Sequence, residues 1–468
     1  MVGPPMVGPA DDRVVETTAA ARYGPGVAGT ATAPPGTGTP PPDRHRHARL
    51  WPVVASVLAL AAFAAACAYV TDTITGQVAQ RRSDYTGLLQ DSRDAVYYPV
   101  RALLDGVNPY DSRGLGPYFT RYPVGQEFPL YSPLHLLVHL PFGFLGLDGA
   151  RWAYLGFSFA LAPLLAAVAL HLARLPVTVA TTFGLGALVV ASVPGRWSLY
   201  NGQPTFLPVL GCWLALAGRE DRPALGVVGV LLALTKPSFG VPLVLVLLAR
   251  RQLRVAAWGA GIGVAVSAAV SVRLLDASGG FGGFWRALRS AYEVTTTSEQ
   301  SEVRSIARID GASAIARTFG LRPSPTGAAV IGLVLLAGAL VALWRLHGRR
   351  PDAGRTDLSV TLACAGIVVA TFHAWYDALL FIWPLLLLVQ APADPSLWPA
   401  RLRTAVMVVV LVSVLNPFDV GPLRTAIGGA RRAVSGTRVT GLGLLGVLAL
   451  TGWAAVRARP GHPAATSR

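Results

Sequence analysis

Uncharged apolar runs long enough to cross a bilayer recur along this chain, and no other sequence feature limits its fold as strongly. The first, residues 50–71, reads LWPVVASVLALAAFAAACAYVT. A membrane-spanning helix needs about 20 mostly apolar residues, because the hydrocarbon core is about 30 Å thick and each helical residue rises about 1.5 Å. Further runs cover roughly 131–147, 152–173, 176–193, 205–218, 224–249 and 255–275, then 326–344, 358–372, 376–391, 404–416 and 439–457. At 53% hydrophobic and 14% charged residues, the chain carries more apolar side chain than a soluble core needs. The sequence therefore predicts an all-α, polytopic membrane protein with about 11–12 transmembrane or re-entrant helices.

The formal charge of +16, from 40 basic and 24 acidic residues, would suggest nucleic acid as a partner for a soluble chain. Here much of that excess sits in loops, where it sets topology, and no zinc finger or basic–aromatic strip accompanies it. Nucleic-acid binding is set aside. Cys67, Cys212 and Cys364 all fall within apolar runs and suggest neither a disulfide framework nor a thiolate metal site. Residues 1–42, rich in Pro, Gly, Thr and Ala, cannot bury enough apolar surface to fold. They predict a disordered tail, ending at residue 49 in the basic stretch DRHRHAR. The distance to the first run and the lack of a small-residue cleavage site argue against a removed signal peptide.

Arginine clusters orient the chain. Arg250, Arg251 and Arg254, then Arg345, Arg349, Arg350 and Arg355, read as cytoplasmic together with the amino terminus and the short tail at 458–468. The polar intervals 72–130 and 276–325 then become two long external loops. The region between 131 and 249 is less regular. A single helix over 224–249 would bury Lys236 near its centre, which is costly. A turn at Lys236-Pro237-Ser238 avoids this, and it reduces the 131–147 run to an interfacial or re-entrant segment.

Polar residues gather at the run ends opposite those clusters: Asp94 with Tyr97 and Tyr98, Arg196, Asn201, Gln203, Lys236, and His373, Tyr376 and Asp377. Helical spacing at i, i+3 and i+4 predicts one face for Asp94, Tyr97 and Tyr98. Carboxylate, imidazole, guanidinium and ammonium groups near one membrane face suit acid–base work on a substrate with a polar head and an apolar tail. Each has a plainer role. Asp94 fits a cap or salt bridge, Lys236 and Arg196 fit snorkelling, Asn201 and Gln203 fit helix capping, and Tyr376 and Asp377 fit interfacial anchoring. His373 equally suits a satisfied imidazole at a helix end.

The order D-x-x-Y-Y at 94–98, L-L-x-G-x-N-P-Y-D at 103–111, an aromatic–proline spacing from Phe119 to Pro123, N-G-Q at 201–203, K-P at 236–237 and H-x-W-Y-D at 373–377 resembles glycosyltransferase family 87. These are multi-pass enzymes of the GT-C superfamily, typified by polyprenyl-phosphate-mannose-dependent α-mannosyltransferases. The resemblance covers roughly residues 50–456 and implies a GT-C-like domain over 50–457. It implies transfer of a sugar, mannose by default, from a polyprenyl-phosphate donor to an external glycolipid or glycan hydroxyl. The anomeric carbon would be inverted, with no cofactor and no metal. Asp94 matches the general base, with Asp84 and Asp91 as competing carboxylates. Lys236 would contact the donor phosphate, His373 the phosphate or the acceptor, and Arg196 would be a second phosphate ligand. Asn201, Gln203, Tyr376 and Asp377 would bind sugar or phosphate. The high Ala, Gly, Arg and Val content suggests a bacterial plasma membrane, with membrane lipids as surroundings.

The rival class is a secondary transporter or lipid flippase, which also uses broken helices and buried ionisable groups. The asymmetric long loops and the lack of a visible internal repeat weigh against it.

Overall fold

The computed structural model describes residues 43–80, 89–111, 117–218, 220–297, 307–390, 396–416 and 431–459. The predicted disordered tail over 1–42, part of the second polar interval at 298–306, Asp84, and most of the tail at 458–468 lie outside these described residues. The described residues from Leu50 onward form one compact unit. All the regular elements described are helical, and a backbone bridge outside them joins Arg308 to Ala374.

The helices, in chain order, begin with α1 (Asp43–Gln80), α2 (Tyr98–Leu104), a short helix over Pro117–Arg121, α3 (Pro133–Val138) and α4 (Leu147–Leu172). Next come α5 (Val179–Ala191), α6 (Val193–Asn201), α7 (Phe206–Ala217), α8 (Ala224–Leu234), α9 (Pro237–Ala249) and α10 (Leu253–Ala277). The second polar interval holds α11 (Phe281–Thr297) and α12 (Gly311–Phe319). The rest are α13 (Pro325–Arg349), α14 (Asp357–Ala370), α15 (Ile382–Val389), α16 (Ala400–Leu415) and α17 (Arg431–Arg457).

Among the described residues, five helices are long and apolar enough to cross a membrane: Trp51–Gly76 within α1, α4, α10, α13 and Gly436–Arg457 within α17. Helices α5 and α6 make a sixth span if taken together, bent by 69°. The protein is a polytopic membrane protein. The other apolar runs are shorter than composition suggested, because proline and polar residues divide them. Five form helices of 10–17 residues, namely α7, α8, α9, α14 and the continuous Trp375–Val389 segment. The 131–147 run breaks at Pro133 and Pro141 into α3 and a 3₁₀ turn over Leu140–Phe144, too short to span, as its sequence position suggested.

The long 224–249 run divides where Lys236 was expected to divide it. Lys236 has an extended backbone (φ −117°, ψ 102°) and Pro237 starts α9. A Cβ on Gly240 would lie 2.6 Å from the Leu234 Cα, so the chain turns sharply there rather than continuing as one rod. Helices α7 and α8 approach just as closely. A Cβ on Gly211 would come within 2.6 Å of the Ala233 nitrogen, and one on Gly229 within 2.4 Å of the Ala215 nitrogen. Small residues let membrane helices gain close backbone packing where lipid gives no hydrophobic drive. Trp213 and Trp383 fill the centre of this core, the Trp213 indole donating to the Leu380 carbonyl at 3.0 Å.

Helix α11 divides its faces. Phe284, Ala287 and Ala291 pack inward, whereas Phe281, Trp285 and Tyr292 are exposed. With Arg286 and Arg289 on the same helix, this is the pattern of a helix lying in a membrane interface.

Candidate functional site

The site grows from the break before α9. There Lys236, only 5% exposed, places its Nζ 2.9 Å from Oδ1 of the fully buried Asp377. His373, also fully buried, puts Nδ1 2.9 Å from the other oxygen, Oδ2. The Ala374 amide donates to that same oxygen at 3.1 Å, and the Thr205 hydroxyl donates to Oδ1 at 3.3 Å. His373 Nε2 sits 3.2 Å from the Ser238 carbonyl, and the Lys236 ammonium lies over the Phe239 and Tyr376 rings at 5.2 and 5.1 Å. A buried lysine thus has a carboxylate of its own chain as partner, which removes most of the cost of placing it in an apolar region.

The H-A-W-Y-D segment can do this because it is not a regular helix. Its Trp375–Phe381 turn is 3₁₀, and Asp377 caps the turn through the Ala374 amide. Residues 307–309 hold the segment from outside: Ile309 N donates to the His373 carbonyl at 2.8 Å, and Trp375 N to the Ala307 carbonyl at 3.0 Å. The Trp375 ring stacks on Trp197 of α6 at 5.3 Å.

Two residues before Thr205, Gln203 carries the polar contacts toward the first polar interval. Gly202 ends α6 in the left-handed region (φ 68°), which turns the chain so that Gln203 leaves the helix. The Gln203 carboxamide donates to Asp91 Oδ2 and accepts from the Tyr131 hydroxyl at 3.3 Å. Asp91 also accepts from the Gln126 side chain. The Gln126 backbone amide, with that of Gly125, donates to Asp94 Oδ2, each at 3.1 Å.

Asp94 is fully buried, and Arg93 grips it through two further bonds of 2.6 and 2.8 Å. Burial holds the Asp94 carboxyl above the usual carboxylate range, outweighing the lowering pull of Arg93 and of the two loop amides. Arg93 and Asp94 can both face inward because Ser92–Tyr97 forms a π-turn just before Pro99. A Cβ on Gly125 would strike Arg93 Nη2 at 2.2 Å, so a side chain there would push the guanidinium away from its present place on Asp94.

The structure therefore joins Asp94, Gln203, Lys236, His373 and Asp377 into one buried polar path, with Tyr376 beside the lysine. Gln126, Tyr131 and Thr205 complete it. Sequence reasoning missed these three, which are neutral residues in no motif, while Asp91 was weighed only as a competing base. Tyr98 follows the π-turn four residues after Asp94 and lies near enough for its hydroxyl to feel the Asp94 charge. The Tyr97 and Tyr98 rings lie 5.1 Å apart, and Tyr98 meets Tyr122 at 5.7 Å in an aromatic cluster. Arg196 and Asn201 are half-buried on α6. Among the described residues, no three His, Cys, Asp or Glu side chains converge as a metal site.

An apolar groove of about 500 Å³ reaches this path. Its lining includes Tyr131 and Ser132, Leu234 and Pro237 on either side of Lys236, and Val241, Val264, Phe284 and Leu288. Val241 and Val264 are exposed, so the groove opens on a face that lipid would cover.

The model for glycosyltransferase family 87 matches residues 129–371, just over half of the 468 residues. The chain belongs to glycosyltransferase family 87. The family 87 match takes in Tyr131, Gln203, Thr205 and Lys236, begins after Asp94 and ends just before His373. Searches of curated proteins and of solved structures return no match.

Proposed function

We propose that this family 87 protein is a polyprenyl-phosphate-dependent hexosyltransferase with a GT-C-like fold. It transfers mannose in the first instance to a hydroxyl of a glycolipid or glycan on the external face of a bacterial plasma membrane. One observation carries the reading: the apolar groove ends at Tyr131 and at the Lys236 break, where the buried polar path begins. A substrate with a prenyl tail and a charged head needs that junction. The tail buries apolar surface in the groove while the phosphate meets the Lys236 ammonium at the break, beside His373, whose ring nitrogens contact Asp377 and the Ser238 carbonyl.

In the proposed step the acceptor oxygen attacks the anomeric carbon as the bond from that carbon to the phosphate oxygen breaks. Configuration inverts, the acceptor proton passes to the Asp94 carboxylate, and polyprenyl phosphate leaves with its electron pair. A desolvated carboxylate of raised proton affinity suits that role. Asp94 accepts four hydrogen bonds, so it takes a proton only after one donor withdraws. The Gly125 and Gln126 amides lie in irregular chain and can move without unwinding a helix.

The test is incubation of the purified protein with radiolabelled polyprenyl-phosphate sugars and native membrane lipids. Asp94→Asn should lower turnover by roughly 10²- to 10⁴-fold, the usual contribution of a general base, with donor binding retained. Asp91→Asn should be milder. Collapse in Asp91→Asn with near-normal turnover in Asp94→Asn would move the base to Asp91. No transfer from any polyprenyl-phosphate sugar would end the proposal.

A further inference from the structure

Tyr118, in the short helix over Pro117–Arg121, is fully buried, and its hydroxyl has no hydrogen-bond partner among the described residues. Its ring is well held, with the Phe119 ring edge-on at 5.6 Å and the Tyr122 ring tilted at 5.6 Å. Tyr122, in the same cluster, is satisfied: its hydroxyl donates to Asp105 Oδ2 at 2.7 Å. A phenol O–H taken out of water without an acceptor is costly, and phenylalanine would fill the same space without that cost. The surroundings of Tyr118 suggest what the hydroxyl is for. From Tyr118 the chain turns straight back onto Asp94. The Tyr122 amide donates to the Tyr118 carbonyl at 3.0 Å and the Val124 amide to the Tyr122 carbonyl at 2.8 Å. The next two amides, of Gly125 and Gln126, are those that hold Asp94 Oδ2. The phenol and the two amides therefore belong to one loop. Burial first, then the Asp94 charge, hold the Tyr118 phenol well above its usual range, so it stays a proton-bearing donor close enough to feel that carboxylate.

We propose that Tyr118 contacts the acceptor, its hydroxyl donating to a second acceptor hydroxyl beside the one that attacks. The inference rests on the transfer reading and narrows the acceptor to a molecule with neighbouring hydroxyls, as a saccharide or polyol has. The loop movement that frees Asp94 from its amides also uncovers Tyr118, since both are covered by the same few residues. One hydroxyl of the acceptor pair then gives its proton to Asp94 while its neighbour accepts from Tyr118. A donor aimed at the attacking oxygen would compete for the lone pair that forms the new bond, whereas one on the neighbouring oxygen aligns the nucleophile and leaves that pair free. The phenol exchanges no proton. An acceptor lacking the second hydroxyl leaves the buried donor unmet and is disfavoured for that reason.

The experiment compares Tyr118→Phe with Tyr122→Phe in the purified full chain, using radiolabelled polyprenyl-phosphate sugars as donors and native membrane lipids as the acceptor. Each variant keeps its ring and loses only a hydroxyl. Tyr118→Phe should lower kcat/KM for the acceptor by about fivefold or more and leave the donor KM unchanged. It should also unfold in dodecyl sulfate no earlier than the unaltered protein, because the hydroxyl it loses has no partner among the described residues. Tyr122→Phe gives up the bond to Asp105, so it should unfold earlier while its turnover stays within about twofold. Normal transfer by Tyr118→Phe, a stability loss in it as large as in Tyr122→Phe, or equal loss of transfer in both variants overturns the assignment. Those results leave the transfer reading standing. Absence of transfer by the unaltered protein from any polyprenyl-phosphate sugar ends both.

Discussion

Replacing Asp377 by asparagine would leave the Lys236 ammonium buried without its carboxylate, at a site where only 5% of the lysine is exposed. Two opposite charges 2.9 Å apart attract by about 6 kcal/mol at an effective dielectric near 20. Most of that attraction offsets the cost of taking both groups out of water, so the pair adds little to stability compared with an apolar pair. Removing one partner is different, and typically costs about 3–5 kcal/mol. Asp377→Asn and Lys236→Met should each fall in that range, and their simple sum would be about 6–10 kcal/mol. In the double variant neither member of the ion pair is left alone, and the asparagine oxygen can take the place of one carboxylate oxygen, accepting from either Ala374 N or Thr205. Its cost should stay near that of one single change, giving a coupling energy of about 3 kcal/mol or more. The assay is equilibrium unfolding in mixed micelles of mild detergent and sodium dodecyl sulfate, followed by tryptophan fluorescence. Additive losses in the double variant would refute the idea that Asp377 is what makes Lys236 tolerable. A double variant that regains stability but not transfer would place the pair's second role in the reaction.

Because burial raises the Asp94 carboxyl, it takes up its proton at a higher pH than a free aspartate. A base must be deprotonated, so turnover should fall on acidification with its acid limb above the ordinary aspartate range, and a limb at or below that range contradicts the role. Ser267→Trp, which places a large ring in the prenyl groove, should raise KM about tenfold or more for a long-chain donor but leave a short, water-soluble donor nearly unaffected. Equal effects on both donors would remove the groove from substrate binding. Gly125→Ala forces a methyl group against Arg93 Nη2 and should cost about 1–3 kcal/mol in the mixed-micelle assay. Unchanged stability would show that the loop does not close on that pair.

The class of the fold was legible because apolar run length leaves few alternatives in a bilayer. The break at Lys236 was legible too, since a charge followed by proline cannot sit quietly inside a span. The number of full-length spans was not. Runs such as 131–147 and 358–372 have the composition of spans, but prolines and helix-ending polar residues leave helices too short for a straight crossing. The site divides in the same way. Asp94, Lys236, His373 and Asp377 stood out because ionisable groups beside apolar runs need a partner or a task. Their pairing did not, because Lys236 and Asp377 are 141 positions apart and periodicity carries no information over that distance. Gln126 and Thr205 gave no signal at all, since neutral polar residues in loops are ordinary until a fold aims them at a carboxylate. The i, i+3, i+4 argument for Tyr97 and Tyr98 assumed an α-helix, and the chain makes a π-turn there, which the residue pattern gave no sign of.

The long separation within the Lys236–Asp377 pair bears on how the chain is made. Ribosomes add about 5–20 residues per second, so Lys236 precedes its counter-ion by roughly 7–28 s. During that interval the segment around α8 and α9 carries an ammonium that its mature partner cannot yet neutralise, and a nascent chain in this state has reason to stay near the insertion machinery or keep the lysine at the water boundary. Chains that stop before residue 377 never leave that condition.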